Sequence, residues 1–275
     1  MIKADKYFID NLRNVLDYGN IDFGARPRYD DGKEANSLFV TQVFEEYDIS
    51  KGEYPISTLR NTAVKIGVQE IRWIYQYQTN KLSVAHELGV HWWDKFSVNG
   101  DTIGNRYGYT VKKYDLVNKL LDGLKNNPFG RRHIMSLWQE EDLRSSDGLM
   151  PCAFQTLWSC RKLHGDMYLD MTLNQRSSDY ITAGSINKIQ YVALQMMVAS
   201  HLGYKVGKFC HFVQNLHIYD RHIDAAREIL DRTPIESQPI IDLPIKKKFY
   251  DITLEDFVIR RPKIEKLVSS IELAV

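Results

Sequence analysis

Apolar residues recur at the three-to-four-residue spacing of an amphipathic helix in four segments of the chain. The first covers residues 3–18, where Phe8 and Leu12 share one face, and Gly19 is a plausible stop. The same spacing predicts helices over residues 62–78, 114–124 and 188–202. The last of these is apolar enough that we expect it to be buried.

A period of two, typical of a β-strand, is clearest in residues 167–174, where apolar and polar side chains alternate. Shorter runs predict strands at residues 133–138, 154–158 and 208–219. Helices and strands mix without regular βαβ alternation, and no repeat or linker divides the chain. We therefore expect an α+β fold, with one domain over residues 1–275 and a large mixed or mostly antiparallel sheet covered by helices.

The composition narrows the class of protein. The 275 residues include 36 basic and 35 acidic side chains, and a net charge of +1 gives no general attraction for nucleic acids or membrane surfaces. No apolar run approaches the roughly 18 residues of a membrane span. The three cysteines form no CxxC pair, and free thiols fit a reducing compartment. We expect a cytoplasmic protein with no membrane partner and no requirement for nucleic acid.

A proline immediately precedes one cysteine, in the segment Leu149-Met150-Pro151-Cys152. Proline fixes its own φ and restricts the residue before it, which gives Cys152 a rigid mount. A lone cysteine is more often a small buried hydrophobe than a nucleophile. Because a nucleophilic cysteine needs cationic neighbours that lower its pKa, the positions of the arginines decide between these interpretations.

Arginines stand out in two blocks of the sequence. Arg131 and Arg132 lead into a predicted strand, and Gln175-Arg176-Ser177-Ser178-Asp179 closes another. Arginine forks match phosphate oxygens, and a serine hydroxyl adds a donor, so these residues are candidates for holding a phosphate. A surface salt bridge is the ordinary alternative for each. Arg26 is uninformative by itself.

His217 and Tyr219 lie two residues apart on a predicted strand, so they point to the same face and could both reach a sugar hydroxyl. The alternative is a pair of half-buried residues with polar tips. His217 and His222 are poor candidates for a metal site, because no helical i, i+4 histidine pair or CxxC accompanies them. We expect no metal.

Taken in order along the chain, these motifs resemble those of the thymidylate synthase family. Leu149–Cys152 is similar to the nucleophile motif, Gln175–Asp179 to the phosphate and folate motif, and His217–Tyr219 to the ribose-binding motif. Eight residues after Asp179 comes Asn187, at the family's spacing for the asparagine that reads the pyrimidine edge. Upstream segments resemble those that carry a catalytic glutamate, a folate-side aromatic residue and a catalytic tyrosine, here Glu70, Trp93 and Tyr107.

The resemblance implies reductive methylation of deoxyuridine monophosphate (dUMP) to dTMP. The co-substrate 5,10-methylenetetrahydrofolate would be both carbon donor and reductant, so neither NAD nor flavin is needed, in keeping with the absence of a GxGxxG fingerprint. Cys152 would add to C6 of the uracil ring. The implied catalytic residues are Cys152, Glu70, Tyr107, Asn187 and Arg176.

The resemblance also implies where each substrate binds. The dUMP site would contain Arg26, Arg131, Arg132, Gln175, Arg176, Ser177, Asp179, Asn187, His217 and Tyr219. The folate site would contain Trp93, Asp179 and Val275. In the family, the arginines that match Arg131 and Arg132 reach into the partner subunit's site, so the resemblance implies a sheet-mediated homodimer with composite active sites.

The sequence departs from the family pattern just before the buried helix. The usual Leu-Gly-x-Pro-Phe-Asn stretch reads Ala183-Gly184-Ser185-Ile186-Asn187 after Thr182, which bears on the shape of the folate pocket. Phe96 also stands where many relatives have a tryptophan.

Two alternatives remain. The first is a deoxypyrimidine hydroxymethylase on the same scaffold, although relatives that act on dCMP carry aspartate where this chain has Asn187. The second is a non-catalytic nucleotide-binding relative, against which the intact Glu70, Cys152 and Asn187 argue.

Overall fold

A seven-stranded mixed sheet forms the centre of the molecule in the computed structural model, which describes residues 1–275. Its strands are Asn20–Asp22 (β1), Ser37–Asp48 (β2), Ile134–Ser136 (β3), Ala153–Leu163 (β4), Asp166–Gln175 (β5), Ser178–Asp179 (β6) and Lys205–Tyr219 (β7). Their order is β1-β2-β7-β5-β4-β3, with β6 beside β7. Neighbours are antiparallel except for the parallel pairs β5–β7 and β6–β7. A separate ribbon pairs Ile240–Asp242 (β8) with Val258–Arg260 (β9).

Eight α-helices accompany the sheet: Lys3–Tyr18 (α1), Val64–Ile71 (α2), Leu82–Glu87 (α3), Gly108–Lys113 (α4), Leu116–Asn126 (α5), Glu140–Ser145 (α6), Gly184–Leu202 (α7) and Ile223–Leu230 (α8). A π-helical turn, Arg72–Gln76, continues α2. Helix α7 is buried along nearly its whole length, between the sheet on one side and α2 and α5 on the other. None of the helices combines the length and apolar character needed to cross a membrane.

The fold class predicted from the sequence is confirmed. The four predicted helices correspond to α1, α2 with its π-helical turn, α5 and α7, and the four predicted strands to β3, β4, β5 and β7. Strand β2 was not among the predictions, although it is the main neighbour of β7.

The two faces of the sheet differ in what covers them. On β5, the residues Leu169, Met171 and Leu173 are buried and belong to the main hydrophobic core with α7. The opposite face carries Phe44 on β2, which is 54% exposed, and Leu157 on β4, which is 37% exposed. The helices therefore lie on one side of the sheet, and the other side is open in a single chain.

Strand pairing brings three chain segments together at one end of the central strands. Because β4 and β5 are antiparallel, the first residue of β4, Ala153, pairs with the last residue of β5, Gln175. Because β5 and β7 are parallel, Gln175 also pairs with Val213 in the second half of β7. The residues before β4, after β5 and at the end of β7 therefore lie close together.

Candidate active site

Cys152 and Arg176 are held together where β4 begins and β5 ends. The backbone N–H of Arg176 donates to the carbonyl of Cys152 over 2.9 Å. The Arg176 guanidinium donates from Nε to the Pro151 carbonyl at 3.0 Å and from Nη2 to the Met150 carbonyl at 2.8 Å. The same Nη2 lies 3.6 Å from Cys152 Sγ. The arginine thus fixes the Pro-Cys turn and also places its positive charge beside the sulfur.

Cys152 differs electrostatically from the other two cysteines. Burial raises the pKa of all three thiols. For Cys152, the charges of Arg176 and Arg26 oppose that rise. For Cys160 and Cys210, nearby carboxylates add to it, and the pKa reaches about 11. Cys152 is therefore the cysteine whose charged neighbours favour the thiolate, although burial keeps its pKa above the ordinary value.

Glu70 occupies a buried position on α2. The indole Nε1 of Trp92 donates to its Oε2. Burial raises the pKa of Glu70 to about 7, while hydrogen bonds from neighbours that include Trp92 and Gln190 pull it down. A carboxyl group with a pKa near neutrality can both accept and donate a proton at physiological pH. Trp92 lies in the segment that resembles the family's folate-side aromatic segment, but only its neighbour Trp93 was assigned a role from the sequence. Gln190 was missed because it stands in no recognisable motif.

Tyr107 precedes α4 in an unusual backbone conformation, with φ at 48°. Such angles are uncommon outside glycine and are often found where a site demands a particular geometry. Its hydroxyl accepts a hydrogen bond from the backbone N–H of Cys152 over 3.3 Å. Its ring packs in an edge-to-face arrangement with that of Trp93, with the ring centroids 5.0 Å apart. Burial holds the pKa of Tyr107 well above the ordinary value, so the hydroxyl keeps its proton.

Asn187 lies in the first turn of α7 with both ends of its amide bonded. Gln175 Nε2 donates to Asn187 Oδ1 at 3.0 Å, and Asn187 Nδ2 donates to Gln190 Oε1 at 2.9 Å. Gln175 is bonded in turn to the buried His211 on β7, with 2.8 Å between His211 Nε2 and Gln175 Oε1. His211 was also missed, because only the pairing of β5 with β7 brings it beside Gln175.

His217 and Tyr219 share a face of β7, as the alternation predicts, with their ring centroids 5.0 Å apart. His217 Nδ1 lies 3.0 Å from Asn215 Oδ1, and burial lowers the pKa of His217, so its ring is neutral at physiological pH. Asp179 pairs with His217 across β6 and β7. The Asp179 carboxylate accepts from the backbone N–H groups of Ile181 and Thr182 at 3.1 Å and 3.2 Å.

A model of the family "Thymidylate synthase" matches residues 6–270. The chain belongs to the thymidylate synthase family. It is 52% identical over 261 residues to a thymidylate synthase of Streptococcus suis and 50% identical over 262 residues to those of Streptococcus pneumoniae strains, covering 94% of both chains in each case. A solved structure, the thermostable thymidylate synthase A from Bacillus subtilis, superposes with a TM-score of 0.88 at 32% identity over 99% of both chains.

Thymidylate synthases are methyltransferases that act on dUMP with methylenetetrahydrofolate as co-substrate. The function and the enzyme class predicted from the sequence are therefore confirmed, and the comparisons do not favour the hydroxymethylase or the non-catalytic relative. The assignment of individual site residues remains a prediction, because none of these comparisons tests it.

Two predicted phosphate ligands of this thymidylate synthase family member do not join the others. Arg131 and Arg132 are exposed on the segment before β3, and neither side chain hydrogen-bonds within the chain. Only Arg176 and Arg26 lower the pKa of Cys152 by their charge. Arg26 is exposed on the segment between β1 and β2.

The last residue, Val275, is paired with the segment that contains Arg26. Its N–H donates to the Arg28 carbonyl at 2.9 Å, and its carbonyl accepts from the Arg28 N–H at 2.7 Å. Ala274 is buried in a small cluster with Tyr29 and Ala35. The predicted folate-side terminus is thus attached to the predicted phosphate-side loop.

Three exposed side chains with atoms of the kind that bind metals lie together on the surface, close in sequence to Trp92 and Trp93. His86, His91 and Asp94 are exposed, and their ligand atoms lie within 4.8 Å of one another. His86 Nε2 is 2.7 Å from Asp94 Oδ1, a distance that is equally typical of an ordinary hydrogen bond or ion pair on the surface. The cluster was missed from the sequence because its spacing follows no common metal motif.

Proposed function

We propose that Cys152 is the nucleophile for the reductive methylation of dUMP, and that the residues around the ends of β4, β5 and β7 bind and orient that nucleotide. The single observation that carries the proposal is the position of Arg176 Nη2, 3.6 Å from Cys152 Sγ on a turn that the same guanidinium fixes. The sulfur adds to C6 of uracil, which makes C5 nucleophilic toward the methylene carbon of the folate. Methylenetetrahydrofolate supplies that carbon and the hydride that reduces it.

Protonation of the pyrimidine is assigned to Glu70. Its pKa of about 7 lets it exchange a proton with water at physiological pH, and Gln190, which lowers that pKa, accepts a hydrogen bond from Asn187. Asn187 would bind O4 and N3–H of the ring, and Glu70 would serve O4 through water. The buried setting that raises the Glu70 pKa is therefore part of its role.

Tyr107 is assigned to the loss of the C5 proton. Because its pKa lies well above the ordinary value, it does not itself act as the base. Its neutral hydroxyl, anchored to the Cys152 backbone, would orient the water that takes the proton. This role needs position more than acidity.

The phosphate of dUMP is assigned to Arg26, Arg176 and Ser177, because the positive charges of Arg26 and Arg176 both act on Cys152 and Ser177 follows Arg176. Arg26 makes no hydrogen bond within the chain, so its guanidinium is available to an anion. His217 and Tyr219, on one face of β7, would bind the ribose hydroxyls. Asp179, Trp93 and the terminal Val275 would bind the folate, with the terminus excluding water.

We further propose a homodimer that pairs the open faces of two sheets. Phe44 and Leu157 lie exposed on that face, and such apolar surface on a sheet side without helices is suited to an identical partner. The exposed Arg131 and Arg132 would then reach the phosphate bound by the other subunit. The proposed chemistry requires no metal.

The experiment is to trap the enzyme with 5-fluoro-dUMP and methylenetetrahydrofolate and to map the covalent adduct by mass spectrometry. The adduct is expected on Cys152. Cys160→Ser and Cys210→Ser are matched controls and should still form it, whereas Cys152→Ser should not. An adduct on Cys160 or Cys210 would overturn the assignment.

A further inference from the structure

We infer that His211 and Gln190 are positioning residues that determine the preference for uracil over cytosine, by fixing which way the Asn187 amide points. Together with Gln175 and Asn187 they form a hydrogen-bonded chain, the amide relay: His211, Gln175, Asn187 and Gln190. The inference rests on the proposed role of Asn187 in reading the base. It adds two residues that the motifs do not identify and that contact no reacting atom.

A side-chain amide can flip unless its hydrogen-bond partners fix its orientation. Gln175 Nε2 lies 2.9 Å from the carbonyl oxygen of Ser177, which can only accept. Gln175 Nε2 is therefore the amino group, and Gln175 Oε1 must face His211 as an acceptor. His211 then carries its proton on Nε2 and donates across 2.8 Å.

The neutral state of His211 keeps this arrangement unambiguous. Burial lowers the pKa of His211 to about 3, so the ring has a single N–H at physiological pH. Its Nδ1 is buried without a hydrogen-bond partner, which fits the tautomer that has its proton on Nε2. Glu45 and Lys188, the charged groups that act on the ring, form a buried ion pair of 2.7 Å with each other.

The direction set by His211 passes to Asn187. Gln175 Nε2 donates to Asn187 Oδ1, and Asn187 Nδ2 donates to Gln190 Oε1. Gln190 Oε1 thus accepts from the amino group of Asn187, and Gln190 also lowers the pKa of the neighbouring Glu70. The Gln175 end of the relay therefore sets the orientation of the Asn187 amide, and Gln190 supplies the acceptor that this orientation needs.

That orientation is complementary to uracil. Asn187 Nδ2 keeps one N–H for the acceptor O4, and Asn187 Oδ1 keeps one lone pair for the donor N3–H. Cytosine presents an amino donor and an unprotonated N3 acceptor at the same positions. It would place donor against donor and acceptor against acceptor, unless the amide flipped and broke the bonds to Gln175 and Gln190.

The test compares binding of dUMP and dCMP by calorimetry in wild type, His211→Phe and Gln190→Leu. Each variant removes one bond of the relay, so the ratio of the dCMP Kd to the dUMP Kd should fall about fivefold. Gln190→Leu should show the larger fall because it removes a direct partner of Asn187. His211→Gln, which can still donate to Gln175, should keep a ratio near that of wild type.

His201→Phe is the matched control, since His201 accepts a hydrogen bond of 3.1 Å from the Phe249 N–H at the far end of α7. It should leave the ratio unchanged. An unchanged ratio in Gln190→Leu overturns the inference, whether or not His211→Phe folds. So does an equal fall in His201→Phe. Because the readout is binding, absence of dUMP turnover in wild type would count against the proposed function and not against the relay.

Discussion

The burial of Glu70 lowers the stability of the fold at high pH, but it also gives the near-neutral pKa that the proposed proton transfer needs. Burial raises its pKa from about 4.5 to about 7. In the unfolded chain the carboxyl group loses its proton near its ordinary pKa, whereas in the folded protein it keeps the proton to about pH 7. The stabilisation from this proton is complete below the unfolded pKa and is lost as the pH rises through the folded pKa.

Glu70→Gln should therefore be more stable than wild type in alkaline solution. The rise in pKa corresponds to about 3 kcal/mol, which the neutral amide would not lose. Urea unfolding at about pH 5 and about pH 8 measures the effect: the advantage of Glu70→Gln should grow with pH while turnover falls. An advantage that does not change with pH would contradict the buried, near-neutral carboxyl group.

Asn187→Asp tests the reading of the base at a single side chain. The Gln190 oxygen faces the position that the new carboxyl oxygen would take, which favours a protonated acid there. A protonated or water-bridged carboxyl can pair with cytosine, so dUMP turnover should fall and dCMP turnover should rise. Measurement of kcat/KM for both nucleotides decides this. If the preference for dUMP is unchanged, Asn187 does not read the base.

At this scale the sequence predicted the residues that belong to motifs, and the structure brings many of them together. Cys152 and Arg176 are adjacent because β4 and β5 pair, although nothing local to either residue indicates it. His211 and Gln190 could not be identified in the same way. Each acts through a neighbour, and the chemistry of an isolated histidine or glutamine gives no sign of such a role.

At the scale of elements, the site depends on how closely α2 approaches α7. A Cβ added at Gly67 would lie 2.8 Å from Ile186 Cδ1 and 3.3 Å from Gln190 Cγ. Gly67 is one turn before Glu70, and Ile186 precedes Asn187. Ile186, which stands in place of the family's usual aromatic residue, thus packs at the contact between α2 and α7. That contact sets the distance between the Glu70 carboxyl group and the Asn187 amide.

Gly67→Leu should push these helices apart. We expect overpacking to destabilise the protein by about 1–3 kcal/mol. We also expect kcat/KM to fall by more than about tenfold, because Glu70 and Asn187 would be displaced relative to each other. Lys65→Leu, on the exposed side of α2, is the matched control and should change neither quantity much. Full activity in a folded Gly67→Leu would show that the helix spacing does not set the geometry.

The one long element that the sequence did not predict, β2, has a physical reason for being missed. Gln42 has φ at 58°, and its position is missing from the pairing with β7, which otherwise keeps one register from Ser37 to Asp48. This irregularity moves the buried positions by one residue, so Val40 and Val43 are buried with two exposed residues between them. A strict period of two is broken in the middle of the strand, and pattern reading therefore fails there.

At the scale of the whole molecule, the proposed dimer makes a prediction that single-chain chemistry does not. Arg131→Glu and Cys152→Ser should each be inactive, and a mixture of the two should recover activity once subunits exchange. A heterodimer has one site with both residues intact, so about a quarter to a half of wild-type activity could return. No recovery after exchange is demonstrated would place Arg131 outside the partner's site.

We propose that this chain converts dUMP to dTMP through Cys152, with the folate as both carbon donor and reductant. It is tested most directly by the absorbance change that accompanies dihydrofolate formation from dUMP and methylenetetrahydrofolate, with dTMP quantified in the same reaction. Wild type should form one dihydrofolate for each dTMP, and Cys152→Ser should form neither product. Formation of tetrahydrofolate with a hydroxymethylated nucleotide, or undiminished turnover in Cys152→Ser, would contradict it.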